Sequence, residues 1–504
     1  MQIKAEEGAF LQLQQNFAEQ YQVVFDDNLA AKAIVVIPSL TLDPLILSKI
    51  DGIIHYEERL LCLLMLLRMP NTHIVYLTST PIDSEIIDYY LHLLPGITGH
   101  HARKRLHFLS CYDTSTISLT EKILARPRLL KRIKDAIPTG YAAHLACFNV
   151  TNYERKLAVT LGLPVYGCNP NLLYWGTKSG SREIFKECDI LLPDGFENLK
   201  DEPDIIKALT ALYFADTTIQ KAVVKMNDGF SGEGNAVFSY PHIYAEKNIE
   251  EQIKVQLHKK LKIVANDLSY AQFIKKFTRM GGIVEAFVHG DEIASPSVQC
   301  RINPLGKVDV ISTHDQWLGG PDAQVFLGGS FPAHTDYAVE AANLGKKVAI
   351  ALQQRGVLGR FSVDFLSVKK DGIWQHYAIE INLRKGGTTH PYLMLQFLTN
   401  GNYNIDTGKY FLPNGDQRHY LFTDNLQHNC FKGLSPADLI DIAICNNLHY
   451  DGTKEEGVMF HMIGALSQYG KLGVICIGSS HEKASLYYEK TLKVLLAECG
   501  NENK

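Results

Sequence analysis

Two apolar strands, R-F-S-V-D-F-L at 360–366 and Y-A-I-E-I-N-L-R at 377–384, flank the turn-rich K-K-D-G segment, and no feature of the 504-residue chain restricts its fold more. Such segments pair as a hairpin. Side chains two residues apart share a strand face, so Glu380, Asn382 and Arg384 align on one side and Ile379, Ile381 and Leu383 on the other. Asp364 joins the polar set across the pair. A face with two carboxylates, an amide oxygen and an arginine is a poor core surface. It suits a hard cation such as magnesium on a phosphate chain, because Asp364 and Glu380 repel each other unless a cation lies between them. A plain half-exposed hairpin is the alternative.

Three other segments carry chemistry of the same kind. V-V-K-M-N-D-G-F-S-G-E-G-N at 223–235 is a strand delivering Lys225 into a turn with Gly229, Ser231, Gly232 and Gly234. A loop this rich in glycine can point several backbone N–H groups at one anion. It is not a P-loop, since the G-K-[ST] order is missing. In G-T-K-S-G-S-R-E-I-F at 176–185, Ser179 or Ser181 is expected to cap a helix. Lys178 then stands at a helix N-terminus, where the macrodipole disfavours a cation unless a phosphate binds there too. I-V-E-A-F-V-H-G-D-E at 283–292 is a strand ending in a turn. Backbone groups around Ala286 to Val288 can read an adenine edge, and Glu292 can accept from ribose hydroxyls. Each segment also has a plain reading as a surface hairpin, loop or strand edge.

The length implies about three domains at roughly 150 residues each. Residues 1–168 show βαβ grammar, with strands expected near 33–38, 73–77, 105–110, 143–149 and 163–166 and helices at 57–68 and 152–162, so an α/β domain is expected. It lacks a G-x-G-x-x-G after the first strand, which argues against a dinucleotide site. Residues 169–410 mix strands with helices, among them a charged one at 246–263, and hold the four segments. Residues 411–504, with a helix at 435–446, strands near 457–463 and 471–477 and a last helix at 481–498, read as a small α+β module.

The four segments occur in the order and character of the ATP-grasp superfamily, and longer strings resemble one branch of it, the peptide ligases related to the pheganomycin ligase. The strings are G-T-K-S-G-S-R at 176–182, V-K-M-N-D-G-F-S-G-E-G-N at 224–235, S-P-S-V-Q at 295–299, S-T-H-D-Q-W-L-G-G-P at 312–321 and E-I-N-L-R-K-G-G-T-T-H-P at 380–391. G-V-M-F-H-M-I-G-A-L at 457–466 is similar to the C-terminal module attached in that branch. The resemblance implies a Rossmann-like front domain, an ATP-grasp fold of two α+β subdomains clasping ATP, and a small α+β C-terminal module. It implies a carboxylate–amine ligase that makes an acyl phosphate and passes the acyl group to an amine. Lys178 and Lys225 then hold ATP phosphates, the loop with Gly229, Ser231, Gly232 and Gly234 closes over them, and Glu285, Phe287 and Glu292 meet adenine and ribose. Asp364, Glu380 and Asn382 hold magnesium, two ions, and Arg384 steadies the acyl phosphate. Many relatives place an arginine two residues before the aspartate, where this chain has Ser362; Arg360 is the nearest substitute. His314, Asp315, Thr388 and His390 are candidates to position substrate.

Competing classes are a kinase that phosphorylates a small molecule with the same ATP and metal residues, and a non-catalytic nucleotide-binding regulator. Fifty basic and fifty-four acidic side chains give a formal charge of −4, which offers no global field for nucleic acid or an anionic membrane. Ten scattered cysteines without C-x-x-C pairs, and no signal peptide or long apolar run, fit a cytoplasmic protein whose partners are ATP, a carboxylate such as an amino acid or peptide, and an amine. A homo-oligomer is left open.

Overall fold

Four short runs line up in parallel. In the computed structural model, which describes residues 2–25, 27–38, 40–42, 44–229, 234–242, 248–265, 268–319 and 325–501, they are β1 (Lys32–Ile37), β2 (Thr72–Thr78), β3 (Leu106–Ser110) and β4 (Ala142–Cys147). Their order is β3-β2-β1-β4, and Lys32 pairs with Thr72 on one side and Ala142 on the other. Every residue of β1 is buried, as a strand covered on both faces requires. The strand expected at 163–166 reduces to a single parallel bridge between Leu145 and Val165.

The helix expected at 57–68 is longer and tighter, a 3₁₀ helix over Ile53–Arg68 that is buried along most of its length. Apolar residues on all sides explain this, because it lies between the parallel sheet and the C-terminal strands within one hydrophobic core. Glu58 accepts from the Gly464 amide at 3.2 and 3.1 Å, which locks the front domain to the C-terminal segment.

A second, antiparallel sheet comprises β5 (Gly195–Leu199), β6 (Lys221–Met226), β7 (Asn235–Ser239), β8 (Leu261–Ile263) and β9 (Gly282–Ala286), in the order β5-β9-β6-β7-β8. The charged helix expected at 246–263 covers Ile249–Lys260 and gives way to β8, because Leu261 pairs with Phe238 on β7 and joins that sheet's core.

The third sheet is the largest. It is built from β10 (Glu292–Ala294), β11 (Pro296–Ile302), β12 (Val308–Gly319), β13 (Val325–Phe331), β14 (Gly359–Lys370) and β15 (Ile373–Asn382). After a two-stranded ribbon of β16 (Asn402–Asn404) and β17 (Lys409–Phe411), the same sheet continues through β18 (His419–Gln427), β19 (Gly457–His461) and β20 (Lys471–Gly478). Its order is β10-β14-β11-β12-β13-β18-β20-β19, with β15 on β14. The strands after residue 411 therefore extend the central sheet. Helix Ala338–Gln354 closes against it at Gly345, where a Cβ would stand 2.6 Å from Val298 Cγ1. Among the described residues no helix is long and apolar enough to cross a membrane.

Candidate active site

A cleft of about 850 Å³ runs between the five-stranded sheet and the central sheet, and the front domain and C-terminal strands close its far end. Its floor is the β14/β15 hairpin. Antiparallel register sets Asp364 opposite Glu380, Ser362 opposite Asn382 and Ser297 opposite Asp364. Directly opposed residues share a face, so these side chains form one polar row, and Arg384 follows just beyond the strand end. Glu380, Asn382 and Arg384 all line the cleft, as the alternation predicted, while Ile381 and Leu383 are buried in the core beneath. A bulge between Asp364 and Phe365 leaves Ile379 unpaired, and it also reaches the cleft wall.

Asn382 Nδ2 donates to Asp364 Oδ2 at 2.9 Å and to Glu380 Oε1 at 2.8 Å. Asp364 Oδ1 accepts from Ser297 Oγ at 2.6 Å and from Gln316 Nε2 at 3.1 Å. Burial, then the charge of Glu380, push the Asp364 carboxyl up to about 6, against the pull of Ser297, Arg384 and Lys178. Burial also raises Glu380, but Lys178, Asn382 and Lys225 outweigh it and hold this carboxylate below its usual range. Glu380 is ion-paired with Lys178. An ammonium group on one of two facing carboxylates is the stand-in that a cation site calls for, and rotation of the Asn382 amide turns its Oδ1 toward the same point. The residues present fit a divalent metal.

Lys178 is set by its helix, Lys178–Glu187. The cap is Thr177, whose hydroxyl accepts from the Gly180 amide at 3.1 Å; Ser179 and Ser181, the expected caps, lie inside the helix instead. They are used as clamps: Ser179 Oγ accepts from the Asn198 amide at 3.0 Å and Ser181 Oγ from the Ile381 amide at 3.0 Å. Asn227, two residues after Lys225, completes the first turn by accepting from the Ser179 amide at 3.0 Å and, through its carbonyl, from the Lys178 amide at 3.2 Å. The two lysine-bearing segments are thus bonded directly to each other.

Lys225 and Glu285 are diagonal neighbours across the β6/β9 pair of the five-stranded sheet, where Glu285 stands opposite Val223, and form a buried ion pair, with Arg182 Nη1 3.3 Å from the other oxygen of Glu285. Glu285 is therefore occupied by two cations and fixes Lys225 at the cleft wall. Phe287 lines the cleft beside Val288, and the amides of Ala286 and Phe287 bond to the carbonyls of Asp194 at 2.7 Å and Lys221 at 3.1 Å. Gly229 and Gly234 line the cleft, while Ser231 and Gly232 lie outside the described residues.

Not every expected residue converges. Glu292 is exposed on the three-residue edge strand β10, 3.3 Å from Lys369, and its neighbour Ile293 reaches the cleft in its place. Arg360 is half-buried four residues upstream of Asp364, opposite Arg301, and is absent from the cleft wall. Burial, then the charge of Arg301, lower its pKa to about 10. His314 shares the face of Ser297 but lies under Phe331 and Tyr420, with Nε2 2.6 Å from Tyr420 Oη; burial drops it to about 3, so it is neutral. Asp315 points to the opposite face and accepts from the His334 amide at 2.8 Å and Tyr337 Oη at 2.9 Å. Thr388 does line the cleft, and His390 sits behind it, 3.3 Å from Asp424. Sequence reading passed over Gln316, Arg59 and Asp424. Period-two alternation from His314, which shares the face of Ser297, could have indicated Gln316; no local signal marks the other two.

Residues 171–267 and 247–406 match the family described as IQCH-like ATP-grasp, and residues 438–491 match the PGM1 C-terminal domain. Residues 171–406 thus resemble an ATP-grasp domain. The chain is 26% identical over 453 residues to an L-propargylglycine–L-glutamate ligase of Streptantibioticus cattleyicolor, covering 88% of this chain and 89% of that one. It is 22% identical over 488 residues to the IQ motif-containing protein H of Danio rerio, covering 87% of this chain but 46% of that longer protein. Among solved structures, the biotin carboxylase domain of Hydrogenobacter thermophilus 2-oxoglutarate carboxylase, crystallised with MgADP, ADP and bicarbonate, superposes with a TM-score of 0.54 at 13% identity, covering 92% of this chain and 89% of that one. That likeness is one of fold. The match over residues 171–406 fits the clasp of two sheets around the cleft.

Proposed function

We propose that this protein is an ATP-dependent carboxylate–amine ligase of the ATP-grasp type that joins an amino acid or peptide acid to an amine in the cytoplasm, releasing ADP and phosphate. The observation that carries this reading is the convergence of Lys178, Lys225, Asp364, Glu380, Asn382 and Arg384 on one cleft of about 850 Å³. The similarity to an L-propargylglycine–L-glutamate ligase over most of both chains supports the same class.

A carboxylate is a poor electrophile at neutral pH, so amide formation needs a better leaving group than oxide. Lys178 and Lys225 pair with the ATP phosphates, and Asp364, Glu380 and Asn382 are the residues to hold two magnesium ions. When bound, those ions neutralise charge on the phosphate chain as the γ-phosphoryl group moves. A substrate carboxylate oxygen, steadied by Arg384, attacks the γ-phosphorus; that O–P bond forms, the bond to the bridging oxygen breaks, and ADP leaves. The amine lone pair then attacks the acyl carbon, Arg384 donates to the developing oxyanion, and the C–O bond to phosphate breaks as the amine gives up its proton. Positioning supplies most of the acceleration, and no protein nucleophile takes part.

An ADP-release screen over pairs of amino acids and short peptides tests this reading, with Glu380→Gln as control. ADP release that requires both an acid and an amine and disappears in the variant supports it. Release that survives the substitution, or that needs only an alcohol, overturns it.

A further inference from the structure

The end of the cleft beyond Arg384 is built around Arg59. This residue comes from the helix Ile53–Arg68 of the front domain, and its guanidinium carbon stands 4.6 Å from the centre of the Tyr56 ring and 4.5 Å from that of Phe148. Arg59, Tyr56 and Phe148 all line the cleft. Nη1 donates to Asp424 Oδ2 at 3.2 Å. Arg59 is only 5% exposed, yet Nε and Nη2 have no acceptor among the described residues. Buried cationic N–H groups without acceptors are costly, and their persistence in a cleft points to an acceptor that arrives with a ligand.

Asp424 is not free to turn and satisfy them. Its Oδ1 lies 2.7 Å from His461 Nε2 and 3.3 Å from His390 Nε2, so both rings brace it. Burial, then the neighbouring His461, lower His390 to about 4, so at neutral pH this ring is uncharged and packs against Asp424, while His461 Nε2 makes the hydrogen bond to the carboxylate. The three groups have the ligand types of a metal site. The guanidinium 3.2 Å from the other Asp424 oxygen puts a fixed positive charge against a cation there, and the arrangement favours an anion at Arg59 instead.

Two more donors face the same space. Thr388 precedes the helix Thr389–Thr399 without making a side-chain cap bond, and its hydroxyl lines the cleft. A Cβ built on Gly386 would stand 3.9 Å from both Thr388 Oγ1 and Arg384 Nη1, which places these groups around one point. Arg384 links two parts of the cleft, for its guanidinium is close enough to Glu380 and Asp364, and also to Arg59, for their charges to act on it. The reacting carboxylate belongs beside the first pair. An amine approaching its carbonyl carbon enters from the Arg59 side, opposite the lysines.

Resting on the ligase reading, we infer that Arg59, braced by Asp424, binds the carboxylate of the amine substrate, so the acceptor is an α-amino acid or a short peptide with its carboxylate near the reacting amine. In an α-amino acid the nitrogen and the carboxylate carbon share one carbon atom. One end can then meet the acyl carbon while the other accepts from Nε and Nη2 in the forked geometry that guanidinium and carboxylate share.

The test compares free amino acids with their C-terminal amides as acceptors, using ADP release and product mass, with hydroxylamine as an acceptor that carries no carboxylate. Two charge-assisted bonds correspond to a preference of about 100-fold in kcat/KM for the free acid over its amide. In Arg59→Gln that preference is expected to fall to about threefold or less, and in Arg59→Lys to an intermediate value. A structural role for Arg59 lowers both acceptors together and leaves their ratio intact. Hydroxamate formed by the wild type together with equal use of free acids and amides overturns the Arg59 assignment and leaves the ligase reading standing. Neither hydroxamate nor ADP release with any acid overturns the ligase reading, and the assignment falls with it. The wild-type arm needs no substitution, so misfolding of a variant does not protect the inference.

Discussion

Asp364 and Glu380 sit directly opposite each other on β14 and β15, and one amide nitrogen, Asn382 Nδ2, donates to both at 2.9 and 2.8 Å. The two carboxylates are kept together by Lys178, Asn382 and Ser297 rather than by any affinity of their own.

The pH dependence of the metal-free protein follows from this pair. Asp364 is pushed up to about 6 by burial and by Glu380. Its contribution to stability is therefore fully present below its ordinary pKa near 4 and is lost as pH rises through about 6. The melting temperature without magnesium is expected to fall over that window relative to Asp364→Asn. Magnesium binds the ionised form, so the stabilisation given by MgADP should grow as pH rises from about 5 to about 7. A MgADP shift that stays flat across this range contradicts the assignment.

Glu380→Gln removes one carboxylate but keeps its size. Turnover is expected to drop about 100-fold or more, with the magnesium concentration needed for half-maximal rate raised. Circular dichroism and the melting curve in magnesium-free buffer should stay close to wild type, because the substitution also ends a repulsion. Steady-state kinetics at varied magnesium check this.

Lys178→Met should raise KM for ATP about tenfold or more and leave Glu380 without its ion-pair partner. Without ATP the variant is expected to melt lower than wild type. ADP titration by calorimetry separates the two effects, and an unchanged ADP affinity together with an unchanged KM for ATP argues against a phosphate contact.

Gly180→Ala tests the seating of the Lys178 helix. A Cβ at this position would stand 2.1 Å from the Tyr174 carbonyl oxygen, which belongs to backbone that cannot step aside. Destabilisation of at least about 1–3 kcal/mol is expected, with ATP affinity falling in parallel. Denaturant melts measure the first effect and nucleotide titration the second.

What the sequence made legible was local. Alternation along 377–384 put Glu380, Asn382 and Arg384 on one wall because a strand has period two, and the K-K-D-G turn fixed the partner strand, so Asp364 followed. The lysines were legible for the same reason, each close to a turn or cap signal. Arg59 and Asp424 are 365 residues apart and meet only through the packing of the front domain on the C-terminal strands, which no local period encodes. Glu292 and Ile293 show the opposite failure. A three-residue edge strand has too little pattern to fix which side chain faces in. His314 was misplaced because the row through Ser297 changes, within one strand spacing, from polar cleft to the aromatic packing of Phe331 and Tyr420.

Transfer of oxygen is the most direct measure of the central claim. With an acid from the ADP-release screen labelled with oxygen-18 in its carboxylate, acyl phosphate chemistry delivers one labelled oxygen to inorganic phosphate for each amide formed. Phosphate that carries no label, with both labelled oxygens retained in the acid or product, would contradict the account at its centre.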